Sequence, residues 1–187
     1  MRTRDGEKQQ RIKQAIVRLI LREGINGASI AKIAQEAGVS PATIYVYYSS
    51  KEDMLSAVYR ECSMQTYRYL MRRIAQEMDA AQLIDAIIRG YFEYTVEHEE
   101  VFSFVEQCSH CPTISPIVSE KDCTCEIFDL LHARQKNGEI RRYSDASMAA
   151  VLFPPVRYLA VNRRTLENTE RELSELIRML QVLLIEQ

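Results

Sequence analysis

Apolar residues recur at three- and four-residue intervals along nearly all of this 187-residue chain, and no alternating pattern of period two persists anywhere in it. Such spacing lays one apolar stripe along each successive helix and leaves no segment patterned as a half-buried strand, so the chain is expected to be all-α. The first helix carries Ile12, Ile16, Leu19 and Ile20 on one face and Arg11, Lys13, Arg18 and Arg22 elsewhere, and stops where Gly24 and Gly27 frame Asn26. Ser29 is a natural N-cap for a short helix from Ile30 to Ala37, which Gly38 ends. Ser40 caps a third helix with Pro41 in its first turn, where the missing amide proton costs nothing, and this helix reaches about Tyr48. Ser50 and Asp53 form a shortened capping signal for a fourth, long helix whose apolar face continues to about Met78. Further helices are expected near 80–97, 99–110, 119–137, 144–162 and 168–186, with a kink or break at Pro154 and Pro155.

Composition bounds the remaining choices. With 47% hydrophobic and 27% charged residues, the chain can bury a core without covalent staples. No apolar stretch approaches the ~20 residues needed to cross a bilayer, and no hydrophobic segment follows the opening residues, so a cytoplasmic protein is expected. Five cysteines, an odd number without a secretion signal, point to reduced thiols. The net charge of −2 conceals a division. Residues 1–50 hold eight Lys or Arg against four Asp or Glu, a balance of +4 that leaves −6 for the rest. A basic head on an acidic body suits a head that meets phosphates, because displacing counterions drives sequence-independent affinity for nucleic acid. A solvated basic helix explains the same charge equally well.

The stretch from Ala28 to Asp53, ASIAKIAQEAGVSPATIYVYYSSKED, decides between them. It reads short helix, glycine turn, short helix. Ala34 is small enough for two helices to cross closely, Gly38 permits a left-handed turn, and Val39 fills the wedge between the helices. The second of the pair can then lie in a major groove with its N-terminal residues towards base edges. Ile33, Ala34, Ala37, Gly38, Val39, Ser40, Thr43, Ile44, Tyr45, Tyr47, Tyr48, Ser50, Lys51, Glu52 and Leu55 together resemble the head of the tetracycline-repressor (TetR) family of transcription regulators. The resemblance covers about 50 residues, and length and helix count extend it loosely to the remainder. Two departures stand out: Tyr48 replaces a usual Phe, and Pro41 with Ala42 replaces a commoner glycine-containing start.

The resemblance implies a helix-turn-helix DNA-binding domain at 1–50 and a helical ligand-binding and dimerisation domain at 51–187. It assigns phosphate contacts to Thr43, Tyr45 and Lys51, and base reading to Pro41, Ala42, Val46 and Tyr47, with Ser40 capping its helix and touching phosphate. Ser29 and Lys32 are flanking backbone contacts, and Arg2 and Arg4 an arm onto adjacent DNA. The apolar character of the reading positions shifts specificity towards thymine methyls and groove shape. A packed aromatic cluster is the competing account of Tyr45, Tyr47 and Tyr48.

Family members are homodimers released from operator DNA by a small-molecule effector, so double-stranded DNA, an effector and a second copy of the chain are the expected partners. Pairing falls to the last two helices, and the final one carries a wide stripe of Leu173, Leu176, Ile177, Leu180, Leu183 and Leu184. The effector pocket falls among the middle helices, where Tyr67, Tyr91, Phe92, Phe102, Cys108, His110 and Cys111 are candidates; plain core is the alternative for each. Cys108, His110, Cys111, Cys123 and Cys125 also invite a sulfur-rich metal or redox site, although free cysteine is often a small buried hydrophobe. Cys108 or Cys111 with His110 is the one nucleophile-and-base grouping, and a helix would point such neighbours apart. Neither catalysis nor a cofactor is expected, and a protein-interaction module would leave the basic head and the Tyr-rich third helix without a purpose.

Overall fold

The computed structural model describes residues 4–75, 77–109, 111, 114 and 121–185, without the side chains of Arg4 and 121–125. Ten helices occupy the described residues, and an isolated bridge between Ile140 and Ile185 is the extended pairing found among them. They are α1 (Arg4–Gly27), α2 (Ile30–Ala37), α3 (Pro41–Tyr47), α4 (Lys51–Met71), α5 (Ala80–Glu97), α6 (Glu99–Ser109), α7 (Lys121–Lys136), α8 (Asp145–Leu152), α9 (Pro154–Asn162) and α10 (Thr169–Leu184).

Two compact units form. One comprises the described residues of 1–64 and 99–119, the other those of 65–98 and 120–185. In the first, Ile12, Ile16, Leu19 and Ile20 of α1 pack with Ile33 and Ala34 of α2, Ile44 of α3, Met54, Leu55 and Val58 of α4, and Phe104 and Cys108 of α6. In the second, Leu83, Ile84, Ile87 and Ile88 of α5 pack with Ile127 and Leu131 of α7, Met148 and Leu152 of α8, Val156 of α9, and Leu173, Ile177 and Leu180 of α10. These are the apolar stripes that the spacing in the sequence defines.

Local chemistry fixes most helix ends. The Ser29 hydroxyl accepts from the Lys32 amide at 3.3 Å, and Ser144 does the same for Ser147. Asp79 and Gln82 close a reciprocal capping box at the start of α5, at 2.8 and 3.0 Å. Phe153 separates α8 from α9, and Pro154 opens α9, as a proline inside a helical pattern dictates. Gly24, at φ +75°, interrupts α1 before a last turn ending at Gly27.

The fourth helix is shorter than its pattern. The apolar face predicts a run to about Met78, but α4 ends at Met71, and the Arg73 amide closes a turn onto the Leu70 carbonyl at 2.9 Å. No glycine or proline marks this end. Ile74 and Met78 pack against the second core from outside the helix, while the Asp79 cap sets the start of the next one. Tertiary packing thus overrides a periodic pattern that satisfies either conformation.

Candidate nucleic-acid interface

The turn between α2 and α3 is built from backbone bonds. Gly38 adopts φ +63°, its amide bonds the Gln35 carbonyl at 3.1 Å, and the Val39 amide reaches back to the Ala34 carbonyl at 2.9 Å. This pairing satisfies the carbonyls that a helix C-terminus leaves open, and the left-handed residue at its centre favours glycine. Val39 then packs half-buried against the head core.

Ser40 opens α3. Its hydroxyl accepts from the Thr43 amide at 3.2 Å and lies 2.9 Å from the Thr43 hydroxyl. Ile44, fully buried, anchors the inner face of α3. The outer face consequently shows Pro41, Ala42, Tyr45 and Val46 to solvent, with Tyr45 58% and Val46 78% exposed. Tyr45 and Val46 thus stand side by side on the outer face of a short helix fixed by its Ser40 cap and by Ile44.

Tyr47 points elsewhere. Its hydroxyl donates to the Asp5 carboxylate at the start of α1, and that acceptor holds the phenol above the ordinary tyrosine range. Tyr48 meets Tyr47 edge-on at 6.4 Å between ring centres and sits half-buried against the core, where burial raises its pKa. The tyrosines therefore divide: Tyr45 faces outwards, while Tyr47 and Tyr48 are engaged within the head.

At the start of α4 the Asp53 amide donates to the Ser50 hydroxyl at 3.0 Å, and the Asp53 carboxylate accepts from the Ser49 amide and hydroxyl at 2.8 and 2.9 Å. Those bonds, the backbone one foremost, hold Asp53 below the usual carboxylate range. Lys51 donates through Nζ to the Ile25 carbonyl at 3.0 Å, so the cation is steered to one place beside the end of α1. Lys32 is exposed but donates to Glu23 at 2.6 Å, which keeps that carboxylate ionised to lower pH than usual. Ser29 is exposed at the N-terminus of α2 and spends one lone pair on its cap.

Part of the head's positive charge is neutralised internally. Glu36 pairs with Arg18 at 3.4 Å and Arg22 at 3.2 Å, and Lys13, itself buried, pairs with Glu61 at 2.7 Å. Arg11 has no such partner among the described residues, and its guanidinium lies 3.9 Å from where a side chain on Gly38 would begin. Its place beside the interhelical turn was not evident from a pattern that marks Arg11 only as polar. Arg2 and the Arg4 side chain lie outside the described residues.

Apart from Phe102, the described effector candidates fall into two cores. Tyr67, Tyr91 and Phe92 are half-buried against the second core, where Tyr91 meets Phe153 edge-on at 5.0 Å. Phe102 is buried on α6, while Cys108 is buried in the first core, with Cys111 packed against it. His110 and the side chains of Cys123 and Cys125 lie outside the described residues. Burial pushes the Cys62 thiol up to about 11 and the Cys108 thiol up to about 12, the latter helped by Cys111. Among the described residues, no three His, Cys, Asp or Glu side chains converge as metal ligands. No described helix is long and apolar enough to cross a membrane.

Residues 12–58 match the sequence profile of the bacterial regulatory proteins of the tetR family. Over 94 residues the chain is 29% identical to an uncharacterised helix-turn-helix transcriptional regulator of Bacillus subtilis, YvdT, and spans about half the length of that relative, 48%. The crystal structure of a TetR family transcription regulator from Marinobacter aquaeolei VT8 superposes over 100% of both chains with a TM-score of 0.89 at 23% identity. The transcriptional regulator FadR from Bacillus subtilis, solved in complex with stearoyl-CoA, superposes over 90% of this chain and 97% of its own with a TM-score of 0.69 at 22% identity.

Proposed function

We propose that the chain, whose residues 12–58 match the tetR family of bacterial regulatory proteins, is a DNA-binding transcription regulator, a repressor that grips a palindromic operator as a homodimer and lets go when a small molecule binds. The outward face of α3 carries this reading: Pro41, Ala42, Tyr45 and Val46 are held on a rigid helix that is capped at Ser40 and anchored at Ile44. In this reading α3 enters the major groove. Thr43, Tyr45 and Lys51 bond phosphates and fix register, and Val46 meets base edges. Arg11 joins them as a further phosphate contact. Residues 1–50 act as the reading head, and residues 51–187 as the pairing and sensing body.

Support for pairing comes from the second unit. Tyr158 and Val161 on α9 and Met179, Val182 and Leu183 on α10 are exposed although large and apolar, and a groove of about 400 Å³ lined by Pro155, Tyr158, Leu176 and Met179 runs among them. A second copy seated on this face would bury the patch and carry two heads into successive major grooves ~34–36 Å apart. Helix α4 contributes Met54, Leu55 and Val58 to one core and Leu70 to the other, so a ligand that shifts its C-terminal end biases the placement of its N-terminal end. The complex of FadR with stearoyl-CoA supports a ligand-sensing body in such a fold.

The test is a gel-shift assay of the full chain on the DNA flanking its own gene, with sedimentation measured in parallel. A specific shift that saturates at two chains per site is expected. Indifference to every duplex at low ionic strength would overturn the reading.

A further inference from the structure

Within the second unit, the end of α4 and the end of α5 enclose a cleft of about 270 Å³ lined by Gln65, Arg68, Tyr69, Arg72, Tyr94 and His98. Tyr67, Tyr91, Phe92, Phe102, Cys108 and Cys111 are not among its lining residues. Three rings form its wall. Tyr94 stands 5.2 Å from Tyr69 and 4.5 Å from His98 between ring centres, and Tyr69 stands 6.2 Å from His98 at 89°.

The polar groups around it are not equivalent. Arg73 lies 4.0 Å over the Tyr69 ring and pairs with Glu93, and the Tyr69 hydroxyl donates to Glu97 at 3.0 Å, so these four hold one another. Arg68, in the last turn of α4, and Arg72, just past its end, both line the cleft, and neither has a carboxylate partner among the described residues. Cations near the end of α4 suit its dipole, which accounts for their tolerance there but not for their convergence with three rings on one cavity. Each guanidinium presents a planar fork of N–H donors that matches a carboxylate, and aromatic faces and edges stack on a flat ring.

We propose that this cleft binds a small planar aromatic carboxylate, with the carboxylate held by Arg68 and Arg72 and the ring packed against Tyr94 and His98. The cavity is just below the ~300–1,000 Å³ of sites for drug-sized ligands, which limits the guest to one or two rings. Glu97 accepts from the hydroxyl of the lining Tyr69 and Glu93 pairs with Arg73 over the same ring, and carboxylates so close to the site favour a monoanion over a phosphate dianion. Binding here stands independently of the regulator reading and rests on it only for any effect on DNA.

Isothermal titration of the full chain, free of DNA, with benzoate, cyclohexanecarboxylate, benzamide and inorganic phosphate tests this. Benzoate is expected to bind at one saturable site per chain. Loss of the ring's flat face or of its charge is expected to weaken binding about tenfold, as is Arg68→Gln or Arg72→Gln. The exposed His98→Ala should weaken benzoate but not cyclohexanecarboxylate, a difference that misfolding would not produce. No saturable benzoate binding, or binding unchanged in the double arginine variant, would overturn the proposal. Phosphate binding as tightly as benzoate would replace it with a plain anion site. A chain that shifts DNA yet ignores benzoate sinks this inference alone, and the reverse result sinks the regulator alone.

Discussion

Lys51 and Ile25, 26 residues apart, are joined by a 3.0 Å hydrogen bond from the lysine ammonium to the isoleucine carbonyl. The bond ties the first turn of α4 to the last turn of α1, and it places a cation where the dipole of α4 disfavours it. In the proposed complex one side chain serves both as this tether and as a phosphate contact, and substitution separates the two. Lys51→Gln keeps an N–H donor but loses the charge. It is expected to leave the melting temperature nearly unchanged while the slope of log affinity against log salt shrinks by about one, the signature of one lost phosphate contact. Lys51→Met, which loses both, should lower the melting temperature as well. An unchanged salt slope in Lys51→Gln would remove Lys51 from the DNA contacts.

Tyr45 and Tyr47, two residues apart on α3, should respond differently to the loss of a hydroxyl. Tyr45→Phe removes an outward hydroxyl and is expected to weaken operator binding about three- to tenfold with no change in thermal unfolding. Tyr47→Phe breaks the bond to Asp5 and should act mainly on the stability of the head. Spectrophotometric titration adds a check: Tyr47 should ionise at a lower pH in Asp5→Asn than in the parent chain, because the carboxylate that raises its pKa is gone.

Gly38→Ala meets no steric obstacle, since the nearest atom to a new side chain is Arg11 at 3.9 Å, an ordinary contact. The cost is conformational, because φ +63° is disfavoured for any residue with a Cβ, and it should amount to about 1 kcal/mol in equilibrium denaturation. Gly90→Ala fails for the opposite reason. A helical glycine imposes no unusual φ, yet its new Cβ would lie 2.8 Å from the Leu70 side chain and 3.2 Å from Arg73, and crowding of this kind costs about 1–3 kcal/mol.

Met179 and Val182, each 69% exposed on α10, test the pairing face. The double variant Met179→Glu, Val182→Glu alters no buried side chain and should fold with an unchanged circular dichroism spectrum. Sedimentation is expected to show a monomer, and operator affinity to fall by more than a hundredfold as the second head is lost. A dimer that survives the double substitution places the interface elsewhere.

The thiols of Cys62 and Cys108 make a prediction in alkali. Both are buried and held neutral, with pKa values pushed up to about 11 and about 12, so the fold prefers the protonated thiol. A raised folded-state pKa gives stability that is fully present below the ordinary thiol range and is lost as pH rises towards the folded value. Denaturation midpoints should therefore decline above about pH 9, and less steeply in Cys62→Ala, Cys108→Ala. At neutral pH, iodoacetamide should modify half-exposed Cys111 well before either buried thiol.

Much of the architecture was legible because it is written in short-range chemistry. Ser29, Ser40 and Ser144 announce helix starts through hydroxyls that act three residues away, Gly38 and Pro154 announce ends and beginnings through their own backbones, and the α1 stripe from Ile12 to Ile20 is periodic without ambiguity. The end of α4 was not legible, since Ile74 and Met78 fit a helical stripe as well as a packed turn. On α3, the burial of Ile44 follows from the pattern and leaves Tyr45 and Val46 outside. Bonds between distant residues leave no local mark, and this hides Lys32 with Glu23, Tyr47 with Asp5, and the convergence of Tyr69, Tyr94 and His98. An amphipathic segment likewise does not say which core it will join, and Phe104 with Cys108 joins that of α1.

That last allegiance bears on any attempt at grafting. A chimera cut after residue 64, meant to lend this reading element to a foreign sensor, would leave behind Phe104 and Cys108, which fill the space beneath α1. The donated piece would arrive with a hole in its floor. A workable transplant has to bring 99–109 along as a second insert, or recruit an equivalent phenylalanine from the host.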